Sequence, residues 1–520
     1  MLEKKDRSGA ESLVQAFVDA EADVCFANPG TSEMHFVAAL DNNPQMRCVL
    51  GLFEGVVTGA ADGYARMARK PAVTLTHLGP GLGNGLANLH NAKKARTPVV
   101  NVVGEHATYH RKYDAPLTSD VAGFAAPVSG WVKVSESADS VAADGAEAVQ
   151  ASTKPPGQVA TLILPADTAW NRTTASANPL PRIQPKAYST LNVDSVANVL
   201  KSGEPSVILM NGELTKSRST MANQIGQATG ARILMDTFVG RVHRGAGTSE
   251  VARLPYFGEM AAEVLDGTKH LIILGTQAPV TFFAYPDKPN YLTPEGCELH
   301  TLAERDEDID GALEALVDAV GATKVQPMLT DLEIPGLPSG DLNQRSAGTT
   351  LAHFLPENAI IVDEGGMNGG GSIAATRTGK PHDWLILTGG AIGFGLPCAT
   401  GAAVACPEQR VISLQADGSG MYTNQALWTQ AREGLNITTI LFANQRYGIL
   451  QVEFGRVGAH NPGPKAMSML DLTNPELKWT DIAKGMGVPA WRVTTVDEYA
   501  SALKKSFATP GPALIEVMVP

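Results

Sequence analysis

Residues 411–420 (VISLQADGSG) and 438–445 (TTILFANQ) decide the fold class of this chain. Each segment begins with a largely apolar run and ends in polar residues, with Asp417 in the first and Asn444 in the second. These two residues lie 27 positions apart, and a strand, helix and second parallel strand need about 30 residues. We therefore expect Asp417 and Asn444 side by side at the carboxyl edge of a parallel sheet, where open α/β sheets bind ligands.

The side chains at this edge suit a metal–diphosphate site. A carboxylate and an amide oxygen are ligands for a hard cation such as Mg²⁺, which keeps part of its coordination shell for phosphate oxygens. Gly418 and Ser419 begin a helix whose free N–H groups can face a diphosphate. An isolated Asp-Gly-Ser is more typical of an ordinary turn, but its spacing from Asn444 favours the metal–diphosphate interpretation.

The alternation of apolar strands with helical patterns extends through most of the chain. Runs such as 72–76 (AVTLT), 206–210 (SVILM) and 359–362 (AIIV) are largely apolar on both faces. Strands of this kind lie inside parallel sheets that helices cover on both sides, so the predicted class is α/β, doubly wound.

The length of 520 residues predicts about three domains. Two stretches rich in proline and polar residues, 171–190 and 324–344, are typical of linkers, although either could be a long surface loop. The expected domains are therefore residues 1–175, 190–323 and 345–520.

The composition excludes several classes of protein. With 44% hydrophobic and 18% charged residues the chain is globular rather than disordered. We expect no membrane span, since no run of 18 apolar residues occurs, and no nucleic-acid partner, since a net charge of −12 comes without a basic block. Five scattered cysteines without CxxC spacing, and an N-terminus without a secretory signal, predict a cytoplasmic location.

A second set of polar residues follows apolar strands in the first block. The segment 28–33 (NPGTSE) follows one such run, and Glu54 begins a helix rich in small residues. A buried carboxylate is costly without a partner, which favours a ligand contact. A lone glutamate here would instead be a helix cap that interacts with the macrodipole.

Histidine and acidic residues also follow the next two strands. His77 comes directly after 72–76, and proton transfer is favoured over a structural role because imidazole titrates near neutral pH. Glu105 and His106 follow the strand after that, and either a pocket-lining or a structural role remains open for them.

The motif around Asp417 resembles the signature of thiamine-diphosphate enzymes, Gly-Asp-Gly-Ser followed by a spaced Asn pair. Ala416 replaces the first Gly, and Ala443 replaces the first Asn. The resemblance implies thiamine diphosphate and Mg²⁺ as cofactors, with Asp417, Asn444 and the backbone carbonyl of Arg446 as metal ligands. It further implies that the first block binds the aminopyrimidine, whose N1′ would pair with Glu54.

Both terminal blocks resemble benzoylformate decarboxylase most, and acetolactate synthase is also similar. This match implies that Thr31 orients the substrate and that His77 relays protons. It assigns Gly365 and Gly366 to a diphosphate-contacting turn, with Gly418 and Ser419, and makes Ile392 the residue that bends the cofactor. It also implies a 2-oxo acid or aldehyde substrate, and active sites between the subunits of a homodimer or homotetramer.

The middle block departs from this pattern. Residues 276–292 resemble the segment that supplies a second catalytic histidine in benzoylformate decarboxylase, but Ala284 occupies that position. The loss of a proton donor shifts the expected reaction from simple decarboxylation toward carbon–carbon bond formation. The aromatic residues around it, Phe282, Phe283 and Tyr285, are expected in the core rather than in a pocket, although the pocket alternative stays open.

The predicted function is therefore thiamine-diphosphate- and Mg²⁺-dependent cleavage or formation of C–C bonds next to a carbonyl. The alternatives are an acetolactate-synthase-like enzyme, a flavin-containing oxidase of the same fold, and a non-catalytic relic that acts as a binding subunit. FAD is not favoured, since the middle block has no flavin signature. The intact Glu54, Asp417 and Asn444 argue against a relic.

Overall fold

The computed structural model describes residues 6–520, and its first part is built around a six-stranded parallel sheet. The strands in this first part of the chain are β1 Arg7–Ser8, β2 Val24–Ala27, β3 Arg47–Leu50, β4 Ala72–Thr76, β5 Val99–Glu105, β6 Trp131–Val134, β7 Val159–Pro165 and β8 Arg172–Thr173. Its helices are α1 Gly9–Asp19, α2 Met34–Leu40, α3 Glu54–Ala68, α4 Leu78–Ala95, α5 Val121–Ala125, α6 Val141–Thr153 and α7 Ala166–Trp170. The sheet order is β3-β2-β4-β5-β7-β6, while β1 and β8 form a separate antiparallel pair.

The middle part contains a five-stranded parallel sheet of order β13-β11-β9-β14-β15. Its strands are β9 Ser206–Met210, β10 Glu213–Leu214, β11 Arg232–Met235, β12 Arg241–Arg244, β13 Ala252–Arg253, β14 His270–Leu274 and β15 Glu298–Ala303. Its helices are α8 Thr190–Lys201, α9 Lys216–Thr229, α10 Gly258–Leu265 and α11 Ile309–Ala319. Two of these strands, β10 and β12, do not belong to the five-stranded sheet. They extend the sheet of the last part of the chain instead.

The last part forms an eight-stranded sheet of order β10-β12-β17-β16-β18-β19-β21-β20, in which only β12 and β17 pair antiparallel. Its own strands are β16 Ala359–Glu364, β17 His382–Ile386, β18 Val411–Ala416, β19 Ile437–Ala443, β20 Ala490–Val493 and β21 Ala513–Met518. Its helices are α12 Gln344–Phe354, α13 Gly366–Ala375, α14 Gly395–Ala405, α15 Asp417–Gly420, α16 Ala426–Arg432, α17 Gly448–Arg456, α18 Pro464–Ser468, α19 Trp479–Gly485 and α20 Val496–Ala508.

The central strands of all three sheets are buried on both faces, as their apolar sequences predict. Every residue of β5, β7, β9 and β19 is buried. Because each sheet needs helical cover on both sides, the doubly wound α/β class is confirmed. No helix among residues 6–520 combines the length and the apolar character that crossing a bilayer requires.

Helices α3 and α14 bring the first and third parts into close contact. A Cβ atom at Gly63 would collide with the carbonyl oxygen of Cys398, and one at Gly401 would collide with that of Ala60. Only glycine allows the two backbones to approach this closely. This contact fixes the relative position of the first and third sheets.

A buried ion pair joins all three parts beside this contact. Arg66 on α3 donates hydrogen bonds to Asp62 one turn earlier, with its closest nitrogen 2.6 Å from the carboxylate. The same guanidinium reaches the backbone oxygen of Gly240 in the middle part at 3.1 Å and that of Ile386 in the last part at 2.8 Å. The N–H donors of this one guanidinium therefore contact all three parts of the chain. Loss of Arg66 would leave the Asp62 carboxylate buried without its cationic partner.

The helix contact yields a stability prediction. We expect Gly63→Ala to lower the free energy of unfolding by about 1–3 kcal/mol, since the added methyl group must push two packed helices apart. Denaturant unfolding measures the change. The control is Gly455→Ala, on α17 with open space around its Cα, which should cost nothing because Ala favours a helix over Gly. Equal stability of the two variants would contradict the close contact.

Candidate active site

Asp417 and Asn444 lie at neighbouring strand ends, as their spacing predicts. Ala416 on β18 is in register with Phe442 on β19, so both chains turn out of the sheet at one edge. The Asp417 carboxylate accepts hydrogen bonds from the backbone N–H of Gln445 at 2.7 Å and of Gly418 at 2.8 Å. The aspartate therefore ties its own turn to the loop that carries Asn444.

The donor set around Asp417 fits a hard divalent cation. The Asp417 side chain is 3% exposed and has no ion-pair partner within residues 6–520. Burial raises the pKa of its carboxyl group above the usual value, although the backbone hydrogen bonds oppose this rise. A cation would supply the charge compensation that the protein does not.

Asn444 and Arg446 border an open cleft of about 340 Å³ beside this turn. The cleft is also lined by Gln344, Met367, Asn368 and Gly448. Carboxylate, amide and backbone carbonyl oxygens are the ligands that Mg²⁺ accepts, and the cleft leaves room for the oxygens of a diphosphate.

The glycines assigned to the diphosphate lie where side chains have no room. Gly366 has a φ of +57°, a conformation that favours glycine, and a Cβ atom at Gly365 would lie 2.8 Å from the Cα of Gly369. A Cβ atom at Gly418 would lie 2.5 Å from the Tyr447 ring. Ser419 accepts a hydrogen bond from the Gln415 amide at 2.7 Å. Two turns at the same sheet edge therefore depend on glycine, and within them the N–H groups of Gly365 and Gly418 donate to Asp363 at 3.2 Å and to Asp417 at 2.8 Å.

The loop that carries Ile392 is held by a buried carboxylate that the sequence analysis missed. Glu364, at the end of β16, accepts backbone hydrogen bonds from Gly393 at 2.8 Å, Phe394 at 3.1 Å and Gly395 at 2.8 Å. It also accepts one from the Gln415 amide at 2.9 Å. Burial raises the pKa of this carboxyl group, and the four donors offset part of that rise.

Helix α4 holds the same loop from the opposite side. The Asn91 amide donates to the carbonyl oxygen of Ala391 at 2.8 Å, and its oxygen accepts from the Ala391 N–H at 3.2 Å. Asn88 donates to the carbonyl oxygen of Gly393 at 3.2 Å. Ile392 therefore lies on a loop that hydrogen bonds fix on both flanks.

Glu54 begins α3 and is 7% exposed. Its Oε2 accepts a hydrogen bond from the Asn84 amide at 3.0 Å, and no other side chain within residues 6–520 hydrogen-bonds the carboxylate. A Cβ atom at Gly81 would lie 2.9 Å from Oε1, so this glycine leaves space beside the second oxygen. One carboxylate oxygen is thus available to a ligand.

His77 is paired with Glu33, another residue whose role the sequence analysis missed. The His77 Nδ1 lies 2.7 Å from Oε2 of the buried Glu33, which also accepts a hydrogen bond from the Gly30 N–H at 2.7 Å. Burial raises the pKa of the Glu33 carboxyl group, and the facing His77 imidazole opposes that rise. Thr31 lies exposed in the same short 3₁₀ turn, Thr31–Glu33.

Two glycines, one in the turn after β2 and one on β5, make room for this pair. A Cβ atom at Gly30 would overlap the His77 ring, and one at Gly104 would overlap the Glu33 carboxylate. The signal that could have identified Glu33 is its place in the same NPGTSE segment as Thr31. Glu105, by contrast, is buried and accepts a hydrogen bond from the N–H of His106 at 2.7 Å.

The expectation of core aromatic residues around Ala284 is wrong for two of the three. Phe282 and Phe283 are 40% and 52% exposed, and Ala284 is exposed as well. The Phe282 ring covers Gly390, where a Cβ atom would lie 2.5 Å from it, and so it borders the loop of Ile392. A strand-like apolar sequence does not reveal that its segment lies over the edge of another sheet.

Tyr285 is buried and lies against the third part of the chain. The Arg456 guanidinium lies 4.4 Å from the centre of its ring, and Arg456 is paired with Glu259 at 2.5 Å. This pair lowers the pKa of Glu259 to about 2. Burial raises the pKa of the Tyr285 hydroxyl above its ordinary value. The segment of Ala284 is therefore anchored to α17.

In one half of the site, Glu54 and His77 have no hydrogen bond or ion pair to Asp417 or Asn444 in the other half among residues 6–520 of one chain. Asn88, however, donates to the carbonyl oxygens of Gly55, beside Glu54, and of Gly393, beside Ile392. Large apolar side chains are exposed near both halves. They are Met34, Leu52, Tyr109, Met367, Tyr422 and Leu450.

Comparison with known proteins identifies the family. Residues 7–125 match the model described as thiamine pyrophosphate enzyme, N-terminal TPP binding domain, and residues 366–517 match the C-terminal TPP binding domain of the same enzymes. The chain belongs to the thiamine-diphosphate enzymes, a family that covers decarboxylases and acetolactate synthases. It is accordingly an enzyme with both cofactor-binding domains of that family.

Individual relatives cover nearly the whole chain. It is 54% identical to the "putative acetolactate synthase large subunit IlvX" of Mycobacterium tuberculosis, over 99% of both chains. It is 28% identical to benzoylformate decarboxylase of Pseudomonas aeruginosa, over 95% of both. The structure of a thiamine-diphosphate-dependent 4-hydroxybenzoylformate decarboxylase from Rhodococcus jostii superposes with a TM-score of 0.85 at 22% identity, over 99% of both chains, which shows the shared fold.

The Glu364 contacts predict a loss of stability on removal of the charge. In Glu364→Gln the amide NH₂ would face a backbone N–H donor, so the free energy of unfolding should fall by about 1–3 kcal/mol. Denaturant unfolding measures the change. Glu357→Gln, exposed just before the other end of the same strand, is the matched control and should unfold like the wild type. A Glu364→Gln protein as stable as this control would show that the carboxylate does not hold the loop.

Proposed function

We propose that this protein is a Mg²⁺-dependent 2-oxo acid decarboxylase that passes its product to a second carbonyl compound, as an acyloin-forming carboligase. The observation that carries the proposal is a pair of buried carboxylates, Glu54 with one open oxygen and Asp417 with no cationic side chain beside it among residues 6–520. The 54% identical relative named as an acetolactate synthase supports ligation over simple decarboxylation.

The roles follow from the contacts of each residue. Asp417, Asn444 and the carbonyl oxygen of Arg446 hold Mg²⁺. Gly365, Gly366, Gly418 and Ser419 would form the two turns that contact the diphosphate. Ile392, on its fixed loop, sets the shape of the bound cofactor. When bound, thiamine diphosphate supplies the nucleophilic carbon and the electron sink that decarboxylation needs.

Glu33 sets the proton position on His77. Its buried carboxylate accepts a hydrogen bond from Nδ1–H, which leaves the lone pair on Nε2. When Nε2 takes a proton, the imidazolium stays paired with the carboxylate. His77 can therefore hold and return a proton at Nε2, while Thr31 in the adjoining exposed turn orients the substrate.

The segment around Ala284 offers few proton donors, which favours ligation of the bound fragment to a second carbonyl compound over its protonation. Ala284 has no proton to donate, and Phe282 and Phe283 are apolar. The Tyr285 hydroxyl is next to Ala284, but its side chain is buried against Arg456 and burial raises its pKa, which makes it a weaker proton donor. The fragment that remains after CO₂ leaves is thus protonated slowly, and a second carbonyl compound can react with it first.

The proposed enzyme is a homodimer or homotetramer in which Glu54 of one subunit faces Asp417 of another, as the resemblance to thiamine-diphosphate enzymes implies. Exposed apolar side chains near both halves supply surface for such a contact. FAD is not part of the proposal. A flavin absorption band in the purified protein would instead support the oxidase alternative.

Paired variants test the site and its assembly together. Glu54→Gln keeps the shape of the side chain but not its acidity, so turnover should fall by about 10²–10⁴ while thiamine diphosphate still binds. Asp417→Ala should lose cofactor binding, because Asp417 would be one of the ligands of the cation that the diphosphate needs. Calorimetry with thiamine diphosphate and Mg²⁺, and steady-state kinetics on a panel of 2-oxo acids, measure these effects.

Coexpression of the two variants with different affinity tags then locates the site. If it lies between subunits, one of the two sites in a doubly tagged dimer contains wild-type Glu54 and wild-type Asp417, and about half of the activity returns. A doubly tagged assembly as inactive as either parent would place both residues in one chain and overturn the shared site. Near-wild-type turnover of Glu54→Gln would make Glu54 a structural helix cap.

The product ratio tests the ligation step. Ala284→His places a proton donor on the segment beside Ile392, so the ratio of aldehyde to acyloin should rise. Gas or liquid chromatography of products from one 2-oxo acid, with and without an added aldehyde, measures this ratio. Ala284→Asn is the control of similar polarity, and Tyr285→Phe should leave the ratio unchanged. A wild type that makes only aldehyde would establish simple decarboxylation instead.

A further inference from the structure

Two histidines and a glutamate meet at the amino edge of the middle sheet, on neighbouring strands. His270 is the first residue of β14 and lies in register with Glu298, the first residue of β15. His300 follows Glu298 by two positions, so the two side chains point to the same face of the strand. The three side chains therefore converge from two adjacent parallel strands.

The distances between their ligand atoms match those around a small metal ion. The Nδ1 of His270 lies 3.1 Å from the Nε2 of His300, and each of these nitrogens lies 3.7 Å from Oε2 of Glu298. With Zn–N distances of about 2.0–2.1 Å, tetrahedral coordination places neighbouring ligand atoms about 3.3 Å apart. The three atoms thus already outline one face of a tetrahedron.

A fourth residue orients the first ligand. Glu204, just before β9, accepts a hydrogen bond from the Nε2 of His270 at 3.0 Å. This contact places the proton of His270 on Nε2 and the lone pair on Nδ1, which faces His300. Metal-binding histidines are oriented in this way by a carboxylate on the nitrogen that does not bind the metal.

The surroundings favour a ligand rather than a charged pair. The side chains of both histidines are largely buried, whereas that of Glu298 is 71% exposed and can adjust to an ion. The cluster is the one group of this kind found in residues 6–520.

We propose that His270, His300 and Glu298 bind one divalent transition-metal ion of the Zn²⁺ class, with water as the fourth ligand. Imidazole nitrogens select Zn²⁺ and its neighbours over Mg²⁺, so this site is chemically distinct from the oxygen ligands at Asp417. When the ion binds Nε2 of His300, the proton on that nitrogen is transferred to Nδ1 of the same ring. The net charge of the imidazole does not change. The ion links β14 to β15 at the sheet edge and stabilises the middle part.

Zinc titration of the full-length protein tests the site. The protein is first saturated with thiamine diphosphate and excess Mg²⁺, so that the cofactor site is filled. Calorimetry with Zn²⁺ should then show one site per chain, and Zn²⁺ should raise the melting temperature because it binds only the folded state. Co²⁺ in place of Zn²⁺ should give the visible d–d bands of a tetrahedral site.

Substitutions assign the ligands. His300→Ala, and His300→Gln as the more conservative variant, should each abolish this zinc site and the Co²⁺ bands while leaving turnover unchanged. Glu204→Gln should weaken the site by about 10–100-fold, as expected for the residue that orients a ligand. His460→Ala removes an exposed histidine elsewhere and should bind Zn²⁺ like the wild type.

Two results would overturn the proposal. One is a wild-type protein that takes up no Zn²⁺ under these conditions. The other is a pair of folded His300 variants that bind Zn²⁺ and show Co²⁺ bands as the wild type does, which would place the ion elsewhere.

Discussion

The close contact between α3 and α14 is the constraint on which the rest of the site depends. Helix α3 begins at Glu54, and α14 begins directly after the loop of Ile392. Because glycine at 63 and 401 lets the two backbones touch, these helix starts are fixed relative to each other. The buried Arg66 beside this contact extends the constraint to the middle part.

Four buried carboxylates show how one chemical group acquires different roles from its neighbours. Glu364 has its oxygens occupied by four donors, so it holds a loop. Glu33 faces an imidazole and thereby controls a proton position. Within residues 6–520, Asp417 has backbone donors but no cationic side chain as partner, and Glu54 has one oxygen without a hydrogen bond. In each case burial is costly, and the partner that offsets the cost defines what the group can do.

The middle part contributes more than a spacer between two cofactor-binding domains. Its strand β12 pairs antiparallel with β17 and extends the third sheet. Its Phe282 covers the loop of Ile392, and Glu259 fixes α17 through Arg456. The part that differs most from the decarboxylase pattern thus lies directly against the proposed reaction site, where a change of residue can alter the product.

The sequence by itself determined the sheet class and the meeting of Asp417 with Asn444. Strands with two apolar faces must be covered on both sides, and the carboxyl ends of adjacent parallel strands share one edge. It also indicated His77 and Glu54 as polar residues at strand and helix ends. The roles of these residues remain predictions that the variants above address.

Only the tertiary structure decided which side chains meet across elements. Glu33 and His77 lie 44 positions apart, and Glu364 and Gly395 lie 31 apart. The exposure of Phe282 and the convergence of His270 with His300 likewise depend on which strands and loops become neighbours. Periodicity specifies which face of an element is apolar, but the partner of a polar side chain is set by packing between distant segments, which no local pattern encodes.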